Sequence, residues 1–122
     1  MNDPNGLCFN NGLWHAFYQH DPNGDTHGPM HWGHATSGDL LSWEHHPIAL
    51  HPDELGMIFS GSVVIDTDDT AGFGPGAMIA VFTHDLDARQ YQSLAYSNDG
   101  GYRWQKFAGN PVLESDERDF RD

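Results

Sequence analysis

The sequence has little cysteine, little positive charge and no long apolar run. Cys8 is the only cysteine among 122 residues, so no disulfide can form within the chain and the redox compartment stays open. Five Lys and Arg stand against 18 Asp and Glu, a formal net charge of −13. That balance argues against nucleic acid or an anionic membrane as partner and suits a neutral ligand. No stretch approaches the roughly 20 apolar residues of a membrane span. No basic-plus-apolar leader is visible at the start, and Arg121-Asp122 stops without a closing element, so the sequence reads as a piece of something longer. A sustained helical period is missing too, which leaves strands and turns.

What is present fits one globular domain: 38 % hydrophobic, 12 % aromatic and 19 % charged residues, with 14 Gly and 7 Pro spread along the chain. Leu13 to Gln19 is aromatic and roughly alternating, a good strand. His31 to Thr36 and Trp43 to Leu50 follow, with Pro47 confining the latter to a sheet edge. After the polar stretch His51 to Gly56 come strands at Ile58 to Ile65, Ala77 to Thr83, Tyr91 to Ser97 and Trp104 to Phe107. Ala77 to Thr83 is nearly continuous in apolar residues, the pattern of a strand buried on both faces.

The chain also repeats itself. Ala35-Thr36-Ser37-Gly38-Asp39 leads to Trp43, then Pro47 and Leu50; Ala95-Tyr96-Ser97-Asn98-Asp99 leads to Trp104, then Pro111 and Leu113. The two tryptophans lie about 60 residues apart, in the range of propeller blades and other solenoid-like arrays. The second copy resembles an Asp-box, a turn whose Ser and Asp side chains bond the backbone while Trp packs between sheets. Turn chemistry explains these residues fully, so the reading is structural.

Met1-Asn2-Asp3-Pro4-Asn5-Gly6 is dense in turn residues. Pro4 fixes φ, and Asn5-Gly6 tolerates the positive φ of a tight reversal that would aim the Asp3 carboxylate. Two ion-binding readings are weaker. His27, His31 and His34 are close enough in sequence to suggest zinc, but Gly28, Pro29 and Gly33 make the segment loop into strand, and ordinary rim histidines are preferred. Asp66, Asp68 and Asp69 suggest calcium, but lack the glycine and glutamate of an EF-hand loop, which favours a solvated acidic turn. No metal or cofactor is expected.

Five motifs taken together carry more: Met1-Asn2-Asp3-Pro4-Asn5-Gly6, Phe17-Tyr18-Gln19, Trp32-Gly33-His34-Ala35, Phe59-Ser60-Gly61-Ser62 and Phe120-Arg121-Asp122. In this order they resemble glycoside hydrolase family 32, the invertases, inulinases, levanases and related β-fructosidases. The resemblance runs the length of the chain. It implies an all-β, five-bladed β-propeller of which this chain covers about two blades, near 1–52 and 57–113, with 118–122 opening a third. It implies that Asp3 is the nucleophile. Asp122 matches an aspartate that stabilises the transition state by binding fructose hydroxyls, with Arg121 its neighbour. Asn2, Gln19, Trp32, Phe59 and Ser60 match positions lining the fructosyl pocket, Trp32 and Phe59 as apolar walls and the others as hydrogen-bonding groups.

The chemistry justifies those residue types independently. Fructoside cleavage passes through an oxocarbenium-like transition state that a carboxylate stabilises, and a retaining enzyme needs a second carboxyl as acid and then base. In the family that glutamate lies in a Glu-Cys pair downstream of the Arg-Asp motif. No such pair exists here: Leu7 precedes Cys8, and Glu44, Glu54, Glu114 and Glu117 stand in other contexts. General-acid catalysis is worth about 10²–10⁴-fold, so the 122-residue chain by itself is expected to hydrolyse sucrose, inulin or levan poorly. The alternatives are fructosyl transfer to another sugar, and a non-catalytic carbohydrate-binding or self-assembling half-propeller. The expected partner is a fructose-containing sugar, with homo-oligomers through exposed blade edges. Localisation is left open.

Overall fold

The computed structural model describes residues 4–21, 30–86 and 89–114. Nine strands run in order: β1 (Pro4–Asn10), β2 (Leu13–His20), β3 (His31–Ser37), β4 (Glu44–Leu50), β5 (Met57–Asp66), β6 (Ala77–Leu86), β7 (Arg89–Ser97), β8 (Gln105–Lys106) and β9 (Leu113–Glu114). The first sheet is a meander in the order β1-β2-β3-β4, all antiparallel. The second repeats it as β5-β6-β7-β8, with β9 also pairing β7. Because β8 lies against Ala95 and Tyr96 while β9 lies against Tyr91 and Gln92, these two short segments share one edge. The second sheet is therefore four strands deep, like the first.

Strand positions follow the sequence pattern closely. Pro47, which has no N–H for a ladder bond, falls on edge strand β4. The apolar run of β6 sits between β5 and β7 and is buried over almost its whole length. The β1–β2 hairpin turns on Asn11 and Gly12, with φ of 54° and 83°, the paired positive values that a two-residue reversal requires.

The opening motif corrects an expectation. Pro4–Asn10 is a strand with a register irregularity between Pro4 and Gly6, and Gly6 is not among the glycines of positive φ. Asn5-Gly6 is thus no reversal. What Gly6 supplies is close approach, because a Cβ there would lie 2.8 Å from the Val63 side chain on β5. The first sheet is pressed against the second at this point.

Between the sheets, Phe17, Trp32 and Leu50 of the first meet Ile58, Met78 and Phe82 of the second in one core. Each such side chain contributes about 1.5–3 kcal/mol by leaving water. The sequence repeat supplies the lock. In the first copy Ser37 Oγ donates to Asp39 Oδ1, which also accepts from the N–H groups of Leu41 and Ser42. In the second, Asp99 Oδ1 accepts from Ser97 Oγ and the N–H groups of Tyr102 and Arg103. Trp104 then donates its indole N–H to Gly101 O and meets Phe17 of the first sheet edge-on at 5.4 Å. The Asp-box reading holds: these groups tie turns and join sheets.

Candidate functional site

Gln19, Trp32, Phe59 and Ser60, the described residues among those expected around the sugar, lie where β2, β3 and β5 meet. Gln19 ends β2 opposite Trp32 on β3. Its amide nitrogen donates to Ile58 O at 3.0 Å, and the Trp32 indole N–H donates to Phe59 O at 2.8 Å. Both bonds reach from the first sheet to consecutive carbonyls of β5. Ile58 N–H returns the tie by donating to Met30 O at 3.0 Å.

Asn5 closes the knot. With its amide oxygen turned inward, it accepts from Trp32 Nε1, Gln19 Nε2 and Gln19 N, each at 3.0 Å. It is buried, with 7 % of its surface exposed, which only such bonding makes affordable for an amide. The sequence reading treated Asn5 as turn chemistry and missed this role. Its signal was a polar residue two positions before an apolar strand run, which turn propensity explained too readily.

Phe59 and Ser60 occupy a β-bulge. The β5–β6 register runs Ile58 to His84 and resumes at Gly61 to Phe82, so three steps on β5 face two on β6. Bulges re-aim side chains and recur beside functional sites. Gly61 is required here, since any Cβ would overlap the Val81 carbonyl on the neighbouring strand. Phe59 and Ser60 are half-buried, whereas Trp32 is wholly enclosed. Trp32 packs on Phe17 and Phe82, so its ring belongs to the core under the site. Asn2, Asp3, Arg121 and Asp122 lie outside the described residues, as do His27 and the expected start of a third blade.

Several of the remaining histidines and acids have local partners. His15 Nδ1 lies 2.9 Å from His34 Nε2, and His46 Nε2 lies 2.7 Å from Thr36 Oγ1. The Asp66 carboxylate accepts from Thr70 N, Thr70 Oγ1 and Ala71 N, and these bonds hold it below the usual carboxylate range. Among the described residues no group of three His, Cys, Asp or Glu is arranged to hold a metal ion.

Two successive antiparallel four-stranded meanders, packed face to face with polar groups gathered at one junction, define a segment of a β-propeller. The sequence pattern described as "Glycosyl hydrolases family 32 N-terminal domain" matches residues 1–122. The chain belongs to glycosyl hydrolase family 32. It is 54 % identical over 126 residues to a levanase of Bacillus subtilis, covering all of this chain and 19 % of that protein. It is 41 % identical over 134 residues to an invertase of Schizosaccharomyces pombe, covering all of this chain and 23 % of the other. Among solved structures, β-fructofuranosidase from Schwanniomyces occidentalis complexed with fructosyl-erythritol superposes with a TM-score of 0.87 at 41 % identity, over 93 % of this chain and 24 % of that one. The chain thus spans about a fifth to a quarter of the length of these relatives.

Proposed function

We propose that the chain forms the first two blades of a retaining β-fructosidase that cleaves β-fructofuranosidic bonds of the sucrose, inulin or levan type. Asp3 attacks the anomeric carbon, the glycosidic oxygen leaves with a proton, and water hydrolyses the fructosyl ester. Asp122 binds fructose hydroxyls as charge develops, and Arg121 orients it with a planar fork of donors. The acid/base glutamate is supplied by polypeptide beyond Asp122.

The observation that carries this reading is the Asn5–Gln19–Trp32 knot on the carbonyls of Ile58 and Phe59. It fixes the strand that follows Asp3 against the bulge bearing Phe59 and Ser60. Gln19 commits its amide nitrogen to protein acceptors, which makes its oxygen the atom offered to a sugar hydroxyl. Phe59 supplies the apolar wall; Trp32 supports that wall from below. Leu7 and Phe9 on the outer face of β1, and Val64 on β5, are each more than half exposed, as expected of faces that further blades cover.

Assayed alone, the chain is expected to show no appreciable release of fructose from sucrose, inulin or levan. Robust hydrolysis by the purified chain, abolished by Asp3→Ala, would show that the acid/base group lies within these residues. Sedimentation is expected to reveal self-association through the uncovered faces; a compact monomer would count against it.

A further inference from the structure

A second polar constellation lies behind the bulge, and nothing in the catalytic reading uses it. His84 on β6 is the cross-strand partner of Ile58, the residue at which the bulge begins. Its Nδ1 lies 2.7 Å from Ser93 Oγ on β7, and its Nε2 lies 3.0 Å from Asp53 Oδ1 in the segment leading into β5. Asp53 also accepts from Leu55 N–H at 2.9 Å and from Lys106 Nζ on β8 at 2.9 Å. Lys106 donates in turn to His51 O. Three strands of the second sheet, β6, β7 and β8, are thereby fastened to the connection between the sheets.

Ser93, His84 and Asp53 have the composition of a hydrolytic triad but not its geometry. The serine sits on Nδ1 and the aspartate on Nε2, the reverse of the usual attachment. Ser93 and His84 are both fully buried, so no substrate reaches the hydroxyl. The Ser93 contact on Nδ1 is a hydrogen bond, whereas Nε2 faces Asp53 Oδ1 at an ion-pair distance of 3.0 Å without hydrogen-bond alignment. The ring cannot rotate without losing both contacts.

We propose that His84 is a positioning residue for the sugar-binding wall: through Asp53 and Ser93 it sets the course of Ile58–Gly61, and hence the placement of Phe59 and Ser60. The bulge is then held from two sides. Gln19, Trp32 and Met30 grip its backbone from the first sheet, and the His84–Asp53 pair fixes the chain entering it from the second. Gly61 against Val81 pins its far end. Carbonyl positions at Ile58 and Phe59 are therefore set in part by His84 and Asp53, which lie behind the wall and do not meet the sugar. Small errors in such placement are costly, a ~1 Å shift being worth up to about 10²-fold in rate.

The proposal rests on the fructosyl-pocket reading for its ligand but not for its geometry, and the test separates the two. In the isotopically labelled chain, His84→Leu should move the amide resonances of Phe59 and Ser60 and the Trp32 indole N–H. The hairpin residues Asn10 to Leu13 should stay in place. His84→Gln, which can still donate to Asp53 and accept from Ser93, should restore most of the wild-type positions. Asp53→Asn, at a less buried point of the network, should shift the same three signals by less. In a polypeptide that continues through the remaining blades, titration with fructose should perturb Phe59 and Ser60 in wild type, and His84→Leu should weaken that binding about tenfold. Unchanged Phe59, Ser60 and Trp32 signals in folded His84→Leu and Asp53→Asn would overturn the positioning role. If fructose perturbs nothing in wild type while those signals move in the variants, the pocket reading fails and the positioning of the bulge stands.

Discussion

His34 in the first sheet and His84 in the second are both fully enclosed, yet they meet burial differently. His84 has a hydrogen bond from Nδ1 to Ser93 and sets Nε2 at an ion-pair distance of 3.0 Å from the Asp53 carboxylate, without hydrogen-bond alignment. His34 shares one nitrogen with His15, and its Nδ1 has no hydrogen-bond partner among the described residues. Its ring is stacked instead, 4.5 Å from Phe17 and about as near to His15 and His46, with Tyr102 of the second sheet lying against all three imidazoles. One histidine is a polar link and the other an aromatic filler. The difference teaches that burial of a titratable ring is uninformative until its nitrogens are accounted for.

The electrostatics separate them further. Burial, reinforced by the neighbouring His15 and His46 and opposed by Asp99, pushes the His34 pKa from 6.5 to about 3. His15 is lowered by burial and by His46, with the Asn10 backbone opposing. Burial lowers His84 too, but Asp53 pulls back toward the charged form. Cys8 faces His15 across β1 and β2, and burial pushes its thiol up, so no anion there offsets a proton on the stack.

Removing the polar link should have the largest effect. His84→Ala would leave a cavity and strand Ser93 and Asp53, at a cost of about 3–4 kcal/mol in urea unfolding at neutral pH. A loss below about 1 kcal/mol would mean the link is dispensable and the contrast unreal. Acid is the next perturbation. A histidine ionising at 6.5 when unfolded and near 3 when folded takes up its proton on unfolding between those values. Stability from His34 is therefore complete above about pH 6.5 and drains as pH falls toward 3. Between pH 7 and 4.5 that amounts to about 2–3 kcal/mol. His34→Phe should flatten this part of the profile most; His84→Gln should flatten it less, because burial lowers His84 as well but Asp53 opposes it.

At neutral pH the filler role predicts a smaller change: His34→Phe should fall within about 1 kcal/mol of wild type, because shape is kept and an unpaired nitrogen is removed. Smallest are the two turn aspartates, Asp39→Ala and Asp99→Ala, each a slight destabilisation in urea unfolding because both carboxylates are largely solvated. They differ in one respect that sharpens the contrast. Asp99 orders the turn carrying Tyr102 and favours a proton on His34, so its loss should steepen the acid profile; loss of Asp39 should not.

Most strand positions were readable because they rest on local pattern: Pro47 on an edge, the apolar run of β6, the repeated Ser-x-Asp turns ahead of Trp43 and Trp104. The opening motif was misread as a reversal because Pro4-Asn5-Gly6 satisfies turn rules as well as it satisfies a bulged strand start. Only Val63, distant in sequence and pressed against Gly6, decides between them. The same holds for Gln19 and Trp32. The family resemblance implied hydrogen-bonding and wall roles for them, but which atoms the protein keeps for itself depends on the carbonyls of β5. His84 gave no signal, since a histidine near the end of an apolar strand matches no motif until Ser93 and Asp53 are brought beside it.

The nucleophile assignment at Asp3 is tested most directly in a polypeptide that continues these residues through the remaining blades, by following fructose release from sucrose or levan with and without Asp3→Asn. The expected result is activity in the parent and a loss of at least about 10³-fold in the variant. Hydrolysis at near-parental rates by Asp3→Asn would contradict it.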